Sequence, residues 1–458
     1  YTGTGGYPFP LWVLTAGTPQ TPAGAADITV TTPSGSTKLP SAYHSLNIAS
    51  YPLDGTPYAL TYDTKRQQVY VAVSDHIDVF SLTSKAFLST IQVPTLNNVK
   101  QLGGLALTPD GSRLLAANWG DASVAVINPD SPSGATAVAV GTLPSQSPYG
   151  QGPAQLAATN TGLVFLGVGA RPYITAGSAH QNTGQNFAHA KPQNSPPASA
   201  EPSVWVLNLT SMSAAPYAPT AAVLSAPYIA ASADGSELCL TGEYLPLSVY
   251  ASATATLTGG PLYSYGGSCA INDSAVFTGA AVSNLSLQEL STGSLPDFQQ
   301  TALGTIGPLP GQATDSTGAL VYVPYTNSVE LFDAHTGEHR ESISLPSPLT
   351  GLSSGSIATD STGQQLFMVT ANGLTVVPVD TLPLAIGSIQ SSAGSWTIAG
   401  TGFVSGTSAS VDGTPLSLQL ADAIHLQVPN APSLSSIHTL TLTNPDGHTY
   451  TYDAAYLR

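Results

Sequence analysis

An all-β fold is what this sequence predicts, on three observations. Of its 458 residues, 44 are glycine and 37 proline, which interrupts the chain too often for long helices and favours short strands joined by turns. Only 8% of residues are charged while 42% are hydrophobic, so a packed chain is expected rather than a disordered one. One pattern also recurs: an apolar strand ends in Asp or Asn with Gly, Ser or Thr, and a second apolar strand begins a few residues later. A repeat of this kind decides the fold before any single element does.

Seven copies run along the chain. Ala59-Leu60-Thr61-Tyr62-Asp63 precedes Val69-Tyr70-Val71, and Leu105-Ala106-Leu107-Thr108-Pro109-Asp110-Gly111 precedes Leu114-Leu115-Ala116. The later turns fall at Asn160, Asp234, Asn272, Asp315 and Asp360, each between two apolar runs. Turn-to-turn spacing is 38 to 50 residues, except for 74 between Asn160 and Asp234. That is the size of a four-stranded propeller blade, with one insertion. In most copies a third strand follows, as in Ile77-Asp78-Val79-Phe80 and Val329-Glu330-Leu331-Phe332. The seventh copy has three clear strands, while Ser45-Leu46-Asn47-Ile48-Ala49 precedes the first copy where an outer strand belongs. The early strand is therefore expected to complete the last blade and close the ring, removing an exposed edge.

Thr108-Pro109-Asp110-Gly111-Ser112-Arg113 and Ala117-Asn118-Trp119-Gly120-Asp121-Ala122-Ser123-Val124 resemble the bacterial YVTN-type β-propeller, related to seven-bladed lactonase-like propellers. Beyond Leu382 the pattern changes. Gly400-Thr401-Gly402-Phe403, Val411-Asp412-Gly413, a strand ending in Pro429, and Asn444-Pro445-Asp446-Gly447 resemble an IPT/TIG immunoglobulin-like domain, whose strands alternate as a two-layer sandwich requires. The expected organisation is an extended N-terminal arm over 1–42, a seven-bladed β-propeller over 43–381 and an immunoglobulin-like β-sandwich over 382–458. Within the arm, Leu11-Trp12-Val13-Leu14 and the strand former Ile28-Thr29-Val30 either pack on their own chain or add a strand to a neighbour.

Candidate chemistry is sparse. Gly351-Leu352-Ser353-Ser354-Gly355 fits the nucleophile-elbow pattern but lacks the following helix which that motif needs. His335-Thr336-Gly337-Glu338-His339 spaces two imidazoles for zinc on a helix; in a turn between strands a solvated role is expected. Cys239 and Cys269 stand on adjacent blades and form either a disulfide or two buried thiols. The long insertion carries Arg171, His180, Phe187, His189 and Lys191, which make it an interaction loop or a mobile decoration. Asn208, Asn272 and Asn284 head N-glycosylation sequons. No cofactor or metal is implied.

A formal charge of −16 leaves no basic stripe for nucleic acid, and no apolar run approaches a membrane span. Tyr1 in place of Met points to a processed, exported product. The function expected is a secreted or cell-surface structural subunit that associates with copies of itself through the arm, with surface glycans as possible partners. The alternatives are a monomeric adhesive or carbohydrate-binding protein, and a lactonase-like or quinoprotein-type enzyme. An enzyme of that kind needs converging His, Glu, Asp or Arg in the channel, whereas the inner strands are rich in Ala, Leu, Thr and Ser; a non-enzymatic role is expected.

Overall fold

A computed structural model describes residues 24–142, 152–169, 203–217, 227–242, 245–263, 269–272, 275–278, 281–284, 289–291, 312–350, 355–379, 382–392, 394–432 and 438–453. The chain divides into two compact units, residues 1–47 and residues 48–458.

In the first unit, Gly24–Thr32 and Gly35–Ser45 pair as an antiparallel hairpin. Ile28 stands opposite Leu39 and Val30 opposite Thr37, and the Thr31 and Ser36 hydroxyls bond at 3.0 Å beside the turn. No third strand joins this sheet among the described residues.

The second unit contains seven blades of antiparallel strands, a seven-bladed β-propeller. The innermost strands, in order, are Ala59–Asp63, Leu102–Leu107, Gly152–Ala158, Tyr228–Ala231, Cys269–Ile271, Ala313–Thr314 and Ile357–Thr359, and each contacts the next around a closed ring. Blade faces pack on one another, so the strands near the axis are buried on both sides: every residue of Leu114–Asn118, Ser123–Ile127 and Gly152–Ala158 is buried. This is why those strands are mostly apolar, whereas outer strands such as His339–Ser344 are polar and largely exposed. Between the first two blades Tyr70, Ile77 and Val79 meet Leu102, Leu114 and Ile127. Between the last and the first, Phe367, Val369 and Leu374 meet Leu60, Val69 and Phe80. Each such side chain contributes roughly 1.5–3 kcal/mol on burial, so the blade junctions carry most of the stability.

Closure works by the expected device, shifted along the chain. Ala49–Tyr51 pairs with Gly373–Pro378 as the fourth strand of the seventh blade, with Ala49 opposite Val376 and Tyr51 opposite Leu374. The shift arises because Ser45 is held by the preceding hairpin. Ser50 and Thr375 share a hydroxyl bond of 2.9 Å, and the Tyr51 ring lies 4.4 Å from Phe80 of the first blade.

The recurrent Asp and Asn residues fold the turns between first and second strands. Asp110 Oδ1 accepts the Thr108 hydroxyl at 2.6 Å and the Ser112 N–H at 2.9 Å; these bonds lower its pKa to about 2. Asp234 repeats that arrangement with Ser232 and Ser236, and Asp315 and Asp360 accept from Leu320 and Gln365 N–H groups. Adjacent turns are latched together. Arg66 Nη1 donates to Gly111 O at 2.9 Å, Asn160 N to Gly235 O at 3.0 Å, and Asn272 Nδ2 to Gly318 O at 2.8 Å. Asp63, Asp110, Asp234, Asp315 and Asp360 are thus spent on turns and blade junctions.

Residues 385–453 form two four-stranded antiparallel sheets. One contains Ala385–Ser392, Ser395–Thr401, His425–Val428 and Gln419–Asp422; the other contains Thr414–Leu416, Ser408–Val411, Thr439–Thr443 and Thr449–Asp453. Burial alternates along the inner strands, with Trp396, Ile398, Leu426, Val428, Leu440 and Leu442 inside. Asp412 and Gly413, at φ 47° and 79°, make the tight hairpin turn that requires two left-handed residues. Asn444 ties two loops together, donating to Gly402 O at 2.9 Å and accepting from the Thr407 hydroxyl at 2.7 Å.

Candidate functional site, the central cavity

The inner strands of all seven blades line a cavity of about 550 Å³ on the propeller axis, within the usual range for a small-molecule site. The strand pairings place equivalent residues in rings. Counting back from each turn, the residues opposite the second strands at Tyr70, Leu115, Phe165, Cys239, Phe277, Tyr322 and Phe367 are Thr61, Ala106, Ala157, Ala230, Ala270, Ala313 and Ala358. Six alanines and one threonine make this ring, and the small side chains leave the space open.

One residue earlier stand Leu60, Leu105, Leu156, Ile229, Cys269, Gln312 and Ile357. Gln312 is the single polar member of that ring. It is buried, at 3% exposure, and its Oε1 is enclosed and has no hydrogen-bond partner among the described residues.

Polarity is unevenly distributed around the axis. The sixth, seventh and first blades contribute Gln312, Thr314, Thr359, Thr61 and Tyr62, while the second to fifth contribute mainly Leu, Ile and Ala. Tyr62 stacks on Phe367 at 5.1 Å, and burial together with nearby Asp360 pushes its phenol up to about 12, so it stays neutral. Charged groups sit at the turn end. Asp63 is held by Arg66 Nη1 at 2.7 Å and by the Tyr70 hydroxyl at 3.3 Å, and Asp110 is committed to its own turn. Lys65 is exposed at the rim. The lining presents hydroxyls and an amide against hydrocarbon.

Other sequence candidates lie elsewhere. Cys239 and Cys269 are joined by a disulfide, Cα–Cα 6.3 Å, between the fourth and fifth blades. The two histidines of 335–339 diverge. His339 Nε2 bonds Glu330 Oε2 at 2.9 Å, whereas His335 is half-buried with its ring 5.0 Å from that of Tyr452. The expectation of a solvated turn therefore fails for His335, because the C-terminal sheets cover it. The same contact includes Arg340, which donates to Leu384 O at 3.2 Å and lies over the Tyr450 ring. It also includes Gly387, where a Cβ would stand 1.9 Å from Thr317 O. Among the described residues, no three His, Cys, Asp or Glu side chains gather as a metal site, and no helix is long and apolar enough to cross a membrane.

Asn208 spends its Oδ1 on the Thr210 and Ser211 N–H groups, and Asn272 is buried. Leu11, Trp12, Val13, Leu14, Arg171, His180, Phe187, His189, Lys191 and residues 351–354 lie outside the described residues, and the side chain of Ile28 is likewise not described; Val30 is half-buried in the hairpin. Gln312 and Thr61 were not singled out from the sequence. Their signal was there: with the seven copies set in register, each departs from its ring.

Seven antiparallel blades around an axial cavity place the chain among the β-propellers. No family model matches it, and neither does any curated protein. Solved structures do. The RRP9 WD40 repeats superpose with a TM-score of 0.50 at 13% identity, covering 72% of this chain and 97% of that one. U3-55K gives a TM-score of 0.48 at 14% identity over 72% and 98%, and a luciferin-regenerating enzyme gives 0.44 at 11% over 73% and 95%. At such identities the likeness concerns the fold alone.

Proposed function

We propose that this chain is a secreted or cell-surface structural subunit which associates with copies of itself through its N-terminal segment, and that it combines a YVTN-type propeller with an IPT/TIG immunoglobulin-like module. The observation that carries the reading is the hairpin Gly24–Ser45. A two-stranded sheet is marginal in water unless another surface covers it or a further strand joins it, and its residues 31–38 are exposed. A neighbouring subunit supplies such a surface, and contacts of that head-to-tail kind propagate as polymers. The composition agrees. With 8% of residues charged, there are few ions to desolvate where subunits meet, even though the net charge stays negative. The propeller acts as a scaffold rather than a catalyst: Asp63 and Asp110, the carboxylates of the cavity lining, are both engaged in turns.

The test is electron microscopy and light scattering of the full chain beside a version lacking residues 1–47. The full chain is expected to form polymers or layers and the truncated one to remain monomeric. A monomeric full chain at high concentration, or undiminished assembly after truncation, overturns the reading.

A further inference from the structure

We propose that Asn208 is an attachment site for an asparagine-linked glycan, and that Asn272, which heads the same kind of sequon, is not. From the functional reading above the proposal takes only that the chain is exported.

The site is a turn on the outer rim of the third blade. Val204–Asn208 and Ser213–Pro216 pair as a hairpin, with Asn208 opposite Ser213. Asn208 Oδ1 accepts the Thr210 N–H at 2.8 Å and the Ser211 N–H at 3.1 Å, a local fold that asparagine makes with the backbone just ahead of it. Met212, at φ 51°, completes the turn. Residues 210–213 are exposed and Asn208 is half-buried.

Those two bonds decide which end of the amide is left for chemistry. Oδ1 is held by two donors, so the nitrogen is the end turned away from the backbone. Among the described residues Nδ2 has no hydrogen-bond partner, and it is not enclosed. A sugar joined to Nδ2 leaves Oδ1 where it is, so the turn survives the modification. The hydroxyl that the sequon requires two residues on belongs to exposed Thr210 and likewise has no partner among the described residues.

Asn272 is the opposite case. Its side chain is buried, its Oδ1 accepts the Ala275 N–H at 2.7 Å, and its Nδ2 donates to Gly318 O at 2.8 Å. The backbone of Gly318 comes so close that a Cβ there would stand 2.8 Å from Asn272 Cβ. A sugar on this nitrogen would break the bond between the fifth and sixth blades and has no space to occupy.

The co-substrate is a glycan carried on a polyprenyl diphosphate. Nδ2 bonds to the anomeric carbon, the bond from that carbon to the diphosphate oxygen breaks, the lipid diphosphate leaves, and the amide gives up one of its two protons to a base. Nothing is oxidised or reduced, and the product amide keeps one N–H and its acceptor oxygen.

The test directs the full chain into the secretory pathway of yeast, which supplies donor and transferase, and maps glycopeptides of the secreted, folded protein by mass spectrometry. The Asn208 peptide is expected to carry sugar that peptide N-glycosidase releases, and the Asn272 peptide to be bare. Thr210→Ala keeps Asn208 and the bonds to its Oδ1, so it is expected to melt like the deglycosylated wild type and to lose the sugar. Thr210→Ser is expected to keep it. A bare Asn208 in the secreted chain, sugar persisting there in Thr210→Ala, or sugar on Asn272 in the folded protein overturns the proposal. In chain recovered from the outside of its own cells Asn208 is expected to be occupied, and a bare Asn208 there also overturns it. A chain confined to the inside of those cells overturns export instead, and the yeast result separates that failure from an incompetent site.

Discussion

Arg66 leaves the first blade and takes both carboxylate oxygens of Asp130 in the second, through Nε at 2.8 Å and Nη2 at 2.5 Å. The same guanidinium bonds buried Asp63 and the carbonyl of Gly111, so one side chain fastens a turn to itself and a blade to its neighbour. These carboxylates hold its pKa far above that of a free arginine.

Arg66→Ala is therefore expected to destabilise the propeller by about 3 kcal/mol, because it leaves the Asp63 carboxylate buried without its cation. Asp130→Ala is expected to cost much less, since Asp130 is exposed and its loss leaves no buried charge behind. Urea unfolding of the two variants checks the order, and equal effects would sink this account of the latch.

The Cys239–Cys269 disulfide closes a loop of 30 residues between two blades. Loop-closure entropy puts its contribution at about 3–4 kcal/mol. The double variant Cys239→Ala, Cys269→Ala is expected to lose that much in chemical unfolding and to stay folded. Dithiothreitol is expected to lower the melting temperature of the wild type and leave that of the variant unchanged.

Where the C-terminal sheets meet the sixth blade, burial lowers the pKa of His335 below 6.5, with Asp333 opposing the shift. As pH falls from 6.5 towards the lower folded value, the unfolded chain takes up a proton that the folded chain refuses. Stability is consequently lost on acidification. His335→Phe removes this term, keeps a ring against Tyr452, and is expected to lose less stability than wild type between pH 7 and pH 5. A parallel loss in both proteins would show that His335 is not responsible.

The parts of the fold that repeat were legible in the sequence. Asp110, Asp234, Asp315 and Asp360 announce turns because a carboxylate next to Gly, Ser or Thr folds locally, through bonds two to five residues away. What was not legible depends on distance. Lys65-Arg66 reads as a charged turn, and nothing local says that Asp130, 64 residues on, completes it. His335 reads as exposed until Tyr452, 117 residues later, lies against it. Gln312 stands one residue before the strand Ala313–Thr314, so a repeat counted from the turn stopped short of it. The blade-closing strand was foreseen but placed too early, because the pairing of Ser45 within the hairpin is a contact made outside the repeat.

That closing strand gives a last prediction, which separates two roles of the N-terminal region. Removing residues 1–47 takes away the hairpin and leaves Ala49–Tyr51 paired with Gly373–Pro378. The propeller core is then expected to melt as it does in the full chain. Removing residues 1–52 also deletes that strand, the Ser50–Thr375 hydroxyl bond and the contact of Tyr51 with Phe80. The edge of Gly373–Pro378 is left with unpaired N–H and C=O groups, and Phe80 loses part of its cover. An open edge of that sort recruits other strands, so the shorter chain is expected to melt well below the longer one and to aggregate on gel filtration. Addition of a peptide spanning residues 46–53 is expected to raise its melting temperature by refilling the gap. Identical melting of the two truncated chains would mean that three strands suffice for the seventh blade and that the closure contributes nothing to stability.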